Sequence, residues 1–371
     1  MNFLIGVCGI GSGHCTRQME ICKKLIEKGH NVKVLTYNEG VKFFSKTDIN
    51  FYEVYVPIIL YKGKRVDYIE NIKRNYKMFL KGRLKNKKIY KEIIKNFKPD
   101  ICISDYEPNV AKISYKINKP LINIDQQSKF IYMTEDSING FSCIEEKKRM
   151  KLFFPRCNKK YIVSFYNIES SGIPENVEIV PPIIREDLKK YITDEKRNKV
   201  VVYFSKFIDI SIKQSLKEII EIFKKFNKYD FYIYTSEIEE NHYNNIYIKK
   251  KNRENFIKDL GEACCAISTA GHTLISEAIF CGIPTYVIPL PTFDQNYCGK
   301  FINENNIGYS SLNISSDKLK YFLNNLEIYK DNIKSCKKIM RGENPIPKII
   351  TELEKKYENY NECWWLWSWY R

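Results

Sequence analysis

The sequence predicts an α/β protein of two tandem Rossmann-like domains, and three observations carry that expectation. Short β-branched runs alternate with longer helix-patterned segments along the chain, the pattern of a parallel sheet covered by helices. The 371 residues exceed one ordinary core and suit two domains of about 100 to 200 residues each. Near the midpoint the adjacent prolines Pro181 and Pro182 break the alternation, and a charged stretch through Arg197 follows. Such a break reads as a linker.

In the first domain, residues 1–180, the strand-like runs are Asn2 to Val7, Asn31 to Thr36, Phe51 to Val56, Asp100 to Ser104, Leu121 to Ile124 and Tyr161 to Ser164. In the second, residues 181–345, they are Val200 to Phe204, Phe231 to Thr235, Ile246 to Lys249, Ala263 to Ser268 and Thr285 to Pro289. Helical patterns such as Ile212 to Phe226 and His272 to Phe280 separate them. Residues 346–371 form a third unit: an amphipathic stretch, Ile349 to Tyr360, then CWWLWSWYR, which holds all four tryptophans. That tail either packs back on the body, or sits at a membrane interface, or is in part without function.

No segment approaches the roughly 20 apolar residues of a membrane span, and the amino terminus lacks the pattern of a signal peptide. The expected place is the cytoplasm, free or peripheral at a membrane. Twelve cysteines are scattered without a Cys-x-x-Cys pair, so they are expected as reduced, mostly buried thiols, with Cys264 and Cys265 in a strand. The net charge of +17 is uneven: residues 62–98 hold fourteen Lys and Arg against three acidic residues, a net of +11. This segment is either a solvated helix face or a patch for an anionic partner, with lipid, nucleic acid and phosphorylated substrates all open. His30 and His242 read as surface residues.

Two stretches carry chemistry. Residues 9–18, GIGSGHCTRQ, follow the first strand and fit a Gly-x-Gly-x-x-Gly dinucleotide loop at Gly9 and Gly11, but His14 occupies the third glycine's place. Residues 268–296 read STAGHTLISEAIFCGIPTYVIPLPTFDQN. A strand that enters a small-residue turn and then a helix aims backbone N–H groups and the positive dipole end outward, which suits a phosphate. Glu277, within that helix, lies in reach of hydroxyls on whatever carries the phosphate.

This second stretch resembles the donor-binding region of GT-B fold glycosyltransferases, the UDP-glycosyltransferase superfamily that includes the bacterial lipid II synthase. The resemblance implies two Rossmann-like domains facing each other across a cleft, and a last helix that returns to the first domain. It also implies that Ala270, Gly271, His272 and Thr273 hold a donor pyrophosphate, that Glu277 binds ribose hydroxyls, and that Asp294 and Gln295 bind the donor sugar. The opening loop then faces the acceptor through Gly11, Ser12 and Gly13. His14 matches the family's general base, and Asp105, after the fourth strand, its partner carboxylate. Neutral imidazole is a competent base near neutral pH, and a carboxylate on its other nitrogen fixes the tautomer. Glu107 is a fallback for that base.

The chain departs from the family in two places. Thr269 stands where plant members have a histidine, and Phe204-Ser205-Lys206-Phe207 replaces a glycine-rich loop, so Ser205 and Lys206 are expected to meet the leaving diphosphate. No carboxylate cluster for Mg²⁺ stands out; the expectation is no metal and no cofactor beyond a nucleotide-sugar co-substrate. The function implied is inverting transfer of a sugar, from UDP by preference, to an acceptor that is lipid-linked, membrane-proximal or a nucleic acid. Epimerisation on the same fold is the alternative, although its donor turn usually reads Ser-Gly-Gly rather than Thr269-Ala270-Gly271. A binding module that uses the basic segment and the Trp tail would leave the donor motif unexplained.

Overall fold

The structure, a computed structural model, describes residues 1–57, 61–62, 65–66, 68–168, 172–193, 198–204, 214–235, 237–250, 252–341 and 344–357. Seven parallel strands build the first sheet: β1 (Asn2–Val7), β2 (Asn31–Thr36), β3 (Phe51–Glu53), β4 (Ile101–Asp105), β5 (Leu121–Asp125), β6 (Lys159–Val163) and β7 (Val177–Val180). Their order is β7-β6-β5-β4-β1-β2-β3. Helices α1 (Ser12–Glu27), α2 (Tyr68–Glu92) and α3 (Pro108–Ile117) belong to this domain. The strands alternate side chains between two apolar cores. Phe3, Ile5 and Val7 pack on one face with Cys15, Met19 and Cys22 of α1; Leu4, Leu35 and Cys102 pack on the other with Val110 and Ile113 of α3.

The strand order reverses between β1 and β4, and ligands of open α/β sheets bind outside the carboxyl ends of the strands at such a point. The register pairs Val7 with Asp105 there. The opening loop and the turn after β4 therefore share one crevice.

The second sheet comprises β8 (Lys199–Tyr203), β9 (Asp230–Tyr234), β10 (Asn241–Tyr243), β11 (Ile246–Lys249), β12 (Cys265–Thr269), β13 (Thr285–Ile288) and β14 (Gly308–Ser310). In the order β10-β11-β9-β8-β12-β13-β14, only the β10–β11 pairing is antiparallel. Its reversal lies between β8 and β12, where the chain turns from Thr269 into α5 (His272–Phe280). Helices α4 (Arg253–Glu262) and α6 (Phe293–Glu304) complete the elements used below. A further apolar cluster joins the domains: Phe130, Phe165 and Tyr166 of the first pack with Ala270, Ile275, Phe293, Phe301 and Ile302 of the second.

The last helix, α7 (Ile346–Tyr357), returns to the first domain, burying Ile349, Ile350, Leu353 and Tyr357 in the α1-side core. Polar contacts fix it: Tyr161 Oη donates to Glu352 at 2.6 Å, and Glu354 meets Lys28 and the His30 ring. His30 is thus an anchor for α7 rather than a simple surface residue. The Trp-rich tail lies outside the described residues.

Several strand expectations shift. The run Phe51 to Val56 stops at Glu53, because Tyr55 turns its backbone to the Asn86 side chain instead of the sheet. Short β7, β10 and β14 were not expected; each has three or four residues and lies at a sheet edge or beside it, where little apolar alternation marks a strand. The Ile212 to Phe226 pattern yields a helix over Leu216–Phe223, its start set by a capping box of Ser215 and Glu218. Among the described residues no helix is long and apolar enough to cross a membrane. All eleven described cysteines are free.

Candidate active site

Gly11 opens α1 with φ +76°, a left-handed value that L side chains rarely adopt. The first turn has no side-chain cap and no acidic residue. This brings His14, Arg17 and Gln18 onto one face, three and four residues apart, toward the end of β4. There Asp105 is fully buried. His14 Nδ1 lies 2.7 Å from its Oδ1; Arg17 donates through Nε and Nη2 at 2.9 and 2.7 Å to Oδ2, and Gln18 Nε2 donates at 3.0 Å.

Burial alone would push the Asp105 carboxyl up, but the Arg17 guanidinium and then His14 overcome it and hold the group at about 2. An ionised Asp105 accepts from Nδ1–H, which leaves His14 Nε2 as the basic nitrogen. The Gln127 amide nitrogen approaches Nε2 at 3.3 Å. Tyr106, the next residue after Asp105, has φ +57°. A bulky side chain in that region is strained, and such strain gathers at functional turns. Glu107 is not beside His14: its carboxylate is fully buried and caps α3 by accepting from Asn109 N and Val110 N at 3.0 and 2.8 Å.

Across the cleft, Ala270 is buried and Gly271 is the N-cap of α5, again without a side-chain cap or a first-turn carboxylate. The two helix starts meet closely: a Cβ at Gly13 would stand 2.7 Å from Thr273 Oγ1. His272 is buried, its Nε2 facing the Phe165 amide at 3.4 Å and its ring 4.8 Å from that of Phe165. Burial, with help from Lys129 and Arg17, keeps its pKa well below the ordinary 6.5, so the ring is neutral.

The three remaining described residues that the resemblance assigns to the donor already hold partners. Glu277, 2% exposed, accepts from Arg185 Nε and Nη2 at 2.7 and 2.5 Å. Asp294 pairs with the fully buried Lys129 at 2.8 Å, a contact between the domains. Gln295 turns its side-chain oxygen onto Leu290 N at 2.9 Å and braces its own loop. Ser205 and Lys206 lie outside the described residues.

The structure thus brings His14 and Asp105 together, and sets Gly13 against Thr273. It adds Arg17, Gln18, Gln127, Lys129 and Arg185, which sequence reasoning missed. Helical spacing from His14 could have found Arg17 and Gln18. Nothing local marks Lys129 or Arg185, whose partners lie 165 and 92 positions away. Among the described residues no group of three His, Cys, Asp or Glu is placed to hold a metal.

Comparison with known proteins fits this geometry. An uncharacterized glycosyltransferase of Methanosarcina mazei is 25% identical over 198 residues, 50% of this chain and 52% of the relative. One from Methanosarcina acetivorans is 32% identical over 107 residues, 28% and 27% of the two chains. The chain therefore aligns with about half or less of the curated relatives it matches. Among solved structures, the glycotransferase of kitacinnamycin superposes with a TM-score of 0.68 at 12% identity, covering 96% of this chain and 98% of that one. CalG4, the calicheamicin glycosyltransferase, gives 0.65 at 10% identity over 96% and 98%. The spinosyn rhamnosyltransferase SpnG complexed with thymidine diphosphate gives 0.65 at 12% over 95% and 99%. At such identities the likeness establishes the GT-B fold. The sequence profile of glycosyl transferase family 1 matches residues 1–327, and with that match over most of its length the chain belongs to glycosyl transferase family 1.

Proposed function

We propose that the protein is an inverting glycosyltransferase that moves a sugar from a nucleotide-sugar, UDP-linked by preference, to the hydroxyl of a lipid-linked or membrane-proximal acceptor. The observation that carries this reading is the His14–Asp105 pair, 2.7 Å apart at the reversal of the first sheet and facing the uncapped start of α5. In this reading His14 Nε2 takes the acceptor proton, with Gln127 giving way or sharing the nitrogen. Asp105, held ionised by Arg17, stabilises the imidazolium. The acceptor oxygen bonds to the anomeric carbon from the face opposite the diphosphate. The carbon–oxygen bond to the diphosphate breaks, and its electron pair leaves with the nucleotide.

The N–H groups of His272 and Thr273 meet the diphosphate beside Ala270 and Gly271, whose own N–H donates to Thr269 O, and Ser205, Lys206 and the nearby Lys129 also offset its charge. Glu277 meets the ribose beside Arg185, while Asp294 and Gln295 face the sugar. A relative complexed with thymidine diphosphate makes dTDP-sugars the second class to try.

The test is release of nucleoside diphosphate from a panel of UDP-, dTDP- and GDP-sugars, with and without a cell-extract acceptor fraction. Release that needs the acceptor fraction and vanishes in His14→Ala and Glu277→Ala proteins supports the reading. Binding of NAD without any sugar-nucleotide turnover overturns it.

A further inference from the structure

The most basic segment of the chain forms a helix that projects beyond the domain that carries it. Tyr55, two residues past β3, donates its N–H to Asn86 Oδ1 and accepts from Asn86 Nδ2, both at 2.8 Å, and Asn86 also donates to Asn109 at the start of α3. Asn86 of α2 is thereby level with the edge of the sheet that carries His14 and Asp105. Beyond it the chain runs down the sheet, with Ile93 and Phe97 buried, to Asp100, which meets Asn2 at the opposite edge. The eighteen residues from 68 to 85 therefore extend past the catalytic edge, about 27 Å at the helical rise.

This projecting part exposes a line of large apolar side chains. Ile69, Ile72, Tyr76, Leu80 and Leu84 are each 62 to 70% exposed. At the helical period they share a stripe about 120° wide. Lys81, Lys85 and Lys88, also exposed, lie to one side of it, and the exposed Lys73, Arg83 and Lys87 project from within it.

Three kinds of occupant can be weighed. A second copy would bring two segments of net charge +11 face to face. The chain's own tail leaves from α7, which packs on the opposite side of the first sheet from the core that α2 joins. A nucleic acid would pair with the lysines and leave the stripe in water. An anionic bilayer satisfies both features, since apolar side chains enter the headgroup boundary while lysine stems lie along it and their ammonium groups meet phosphates.

We propose that residues 68–85 dock on an anionic lipid surface through the Ile69, Ile72, Tyr76, Leu80 and Leu84 stripe, which sets the mouth of the cleft at the lipid headgroups. This deepens the membrane-proximal part of the proposed function and is independent of its chemistry: vesicle binding without sugar transfer would leave the docking surface standing and sink only the reaction.

The test is sedimentation of the full-length protein with vesicles of phosphatidylcholine alone or equimolar with phosphatidylglycerol, at low and high salt. Binding to the anionic vesicles should exceed that to neutral ones by about tenfold or more, and salt should weaken it without abolishing it. Leu80→Asp should lose about tenfold. Met78→Asp carries the same charge change to the far side of the helix and should bind as the wild type does. Equal loss in both variants would mean that charge alone carries the contact, and the proposal would fall. It would fall equally if Leu80→Asp kept wild-type binding, or if replacing Trp364, Trp365, Trp367 and Trp369 by Ala removed binding while Leu80→Asp did not. Circular dichroism of both Asp variants should match the wild type, because both positions are exposed.

Discussion

Replacing Asp105 by Asn removes one charge at a point where β4, α1 and β5 converge. The carboxylate receives His14, Arg17 and Gln18, and Gln18 also donates to Ile124 O in β5. Two routes give the size of the effect. The fall of the carboxyl from the ordinary 3.8 to about 2, at about 1.4 kcal/mol for each tenfold change in proton affinity, amounts to about 2.5 kcal/mol. Asn also leaves Arg17 buried without a counter-charge, and breaking a buried pair on one side costs about 3 to 5 kcal/mol. The two overlap, so a loss of about 3 to 5 kcal/mol at neutral pH is expected in urea unfolding of the first domain. The sign follows from the direction of the shift. A carboxyl held below its unfolded value stabilises fully above about 3.8, and that contribution fades as the pH falls toward 2. The gap between wild-type and Asn proteins should therefore be constant from pH 7 to about 5 and narrow below 4. Sugar-nucleotide turnover should fall by about 10²- to 10⁴-fold, the usual worth of a positioned general base. Equal urea midpoints at pH 7, or a gap that stays constant into the acid range, would refute the reasoning.

Three further outcomes follow from the same site. His14→Ala should lower turnover by about 10²- to 10⁴-fold while calorimetry shows nucleoside diphosphate binding within a few-fold of wild type, since the proposed function puts the ring on the acceptor side. Arg185→Ala leaves Glu277 buried without its cation and should cost about 3 to 5 kcal/mol in urea unfolding, whereas the double change Arg185→Met with Glu277→Met should recover most of that loss. Lys129→Met should cost about 10²- to 10³-fold in turnover, the scale of one lost stabilising donor, and Lys129→Arg should retain more activity than Met; equal rates in the two would remove the lysine from the chemistry.

The two-domain architecture was legible because its strands are central and apolar. Runs such as Leu121 to Ile124 and Val200 to Val202 are buried on both faces, and such strands show as near-continuous apolar stretches in a sequence. What failed to show was short, at an edge, or shaped by side-chain capture, as at Tyr55. His14 and Asp105 lie together as the resemblance implies, because a single crossing places the end of β4 beside the start of α1. The donor side was less legible. Its motif gave the turn and helix, but Glu277 is held by Arg185, 92 positions away within the second domain, and Asp294 by Lys129 of the first, whose proximity depends on how the domains dock. No local pattern encodes that.

Those ion pairs also bear on how a donor enters. Three contacts between the domains are made at the site itself: the close approach of Gly13 to Thr273, the Phe165 amide on His272, and Lys129 on Asp294. A donor that used the start of α5 and the Asp294 carboxylate would need groups that the first domain now holds. Its affinity is then net of breaking those contacts, and donor binding and domain rearrangement become one equilibrium. The exchange is less costly than the count suggests. A diphosphate brings negative charge to the start of α5, so Lys129 can trade a carboxylate for a phosphate and keep a counter-ion throughout, while Asp294 turns from an ammonium to sugar hydroxyls. A lysine with no exposed surface is expensive to leave unpaired, and this arrangement gives it a partner both before and after the donor arrives.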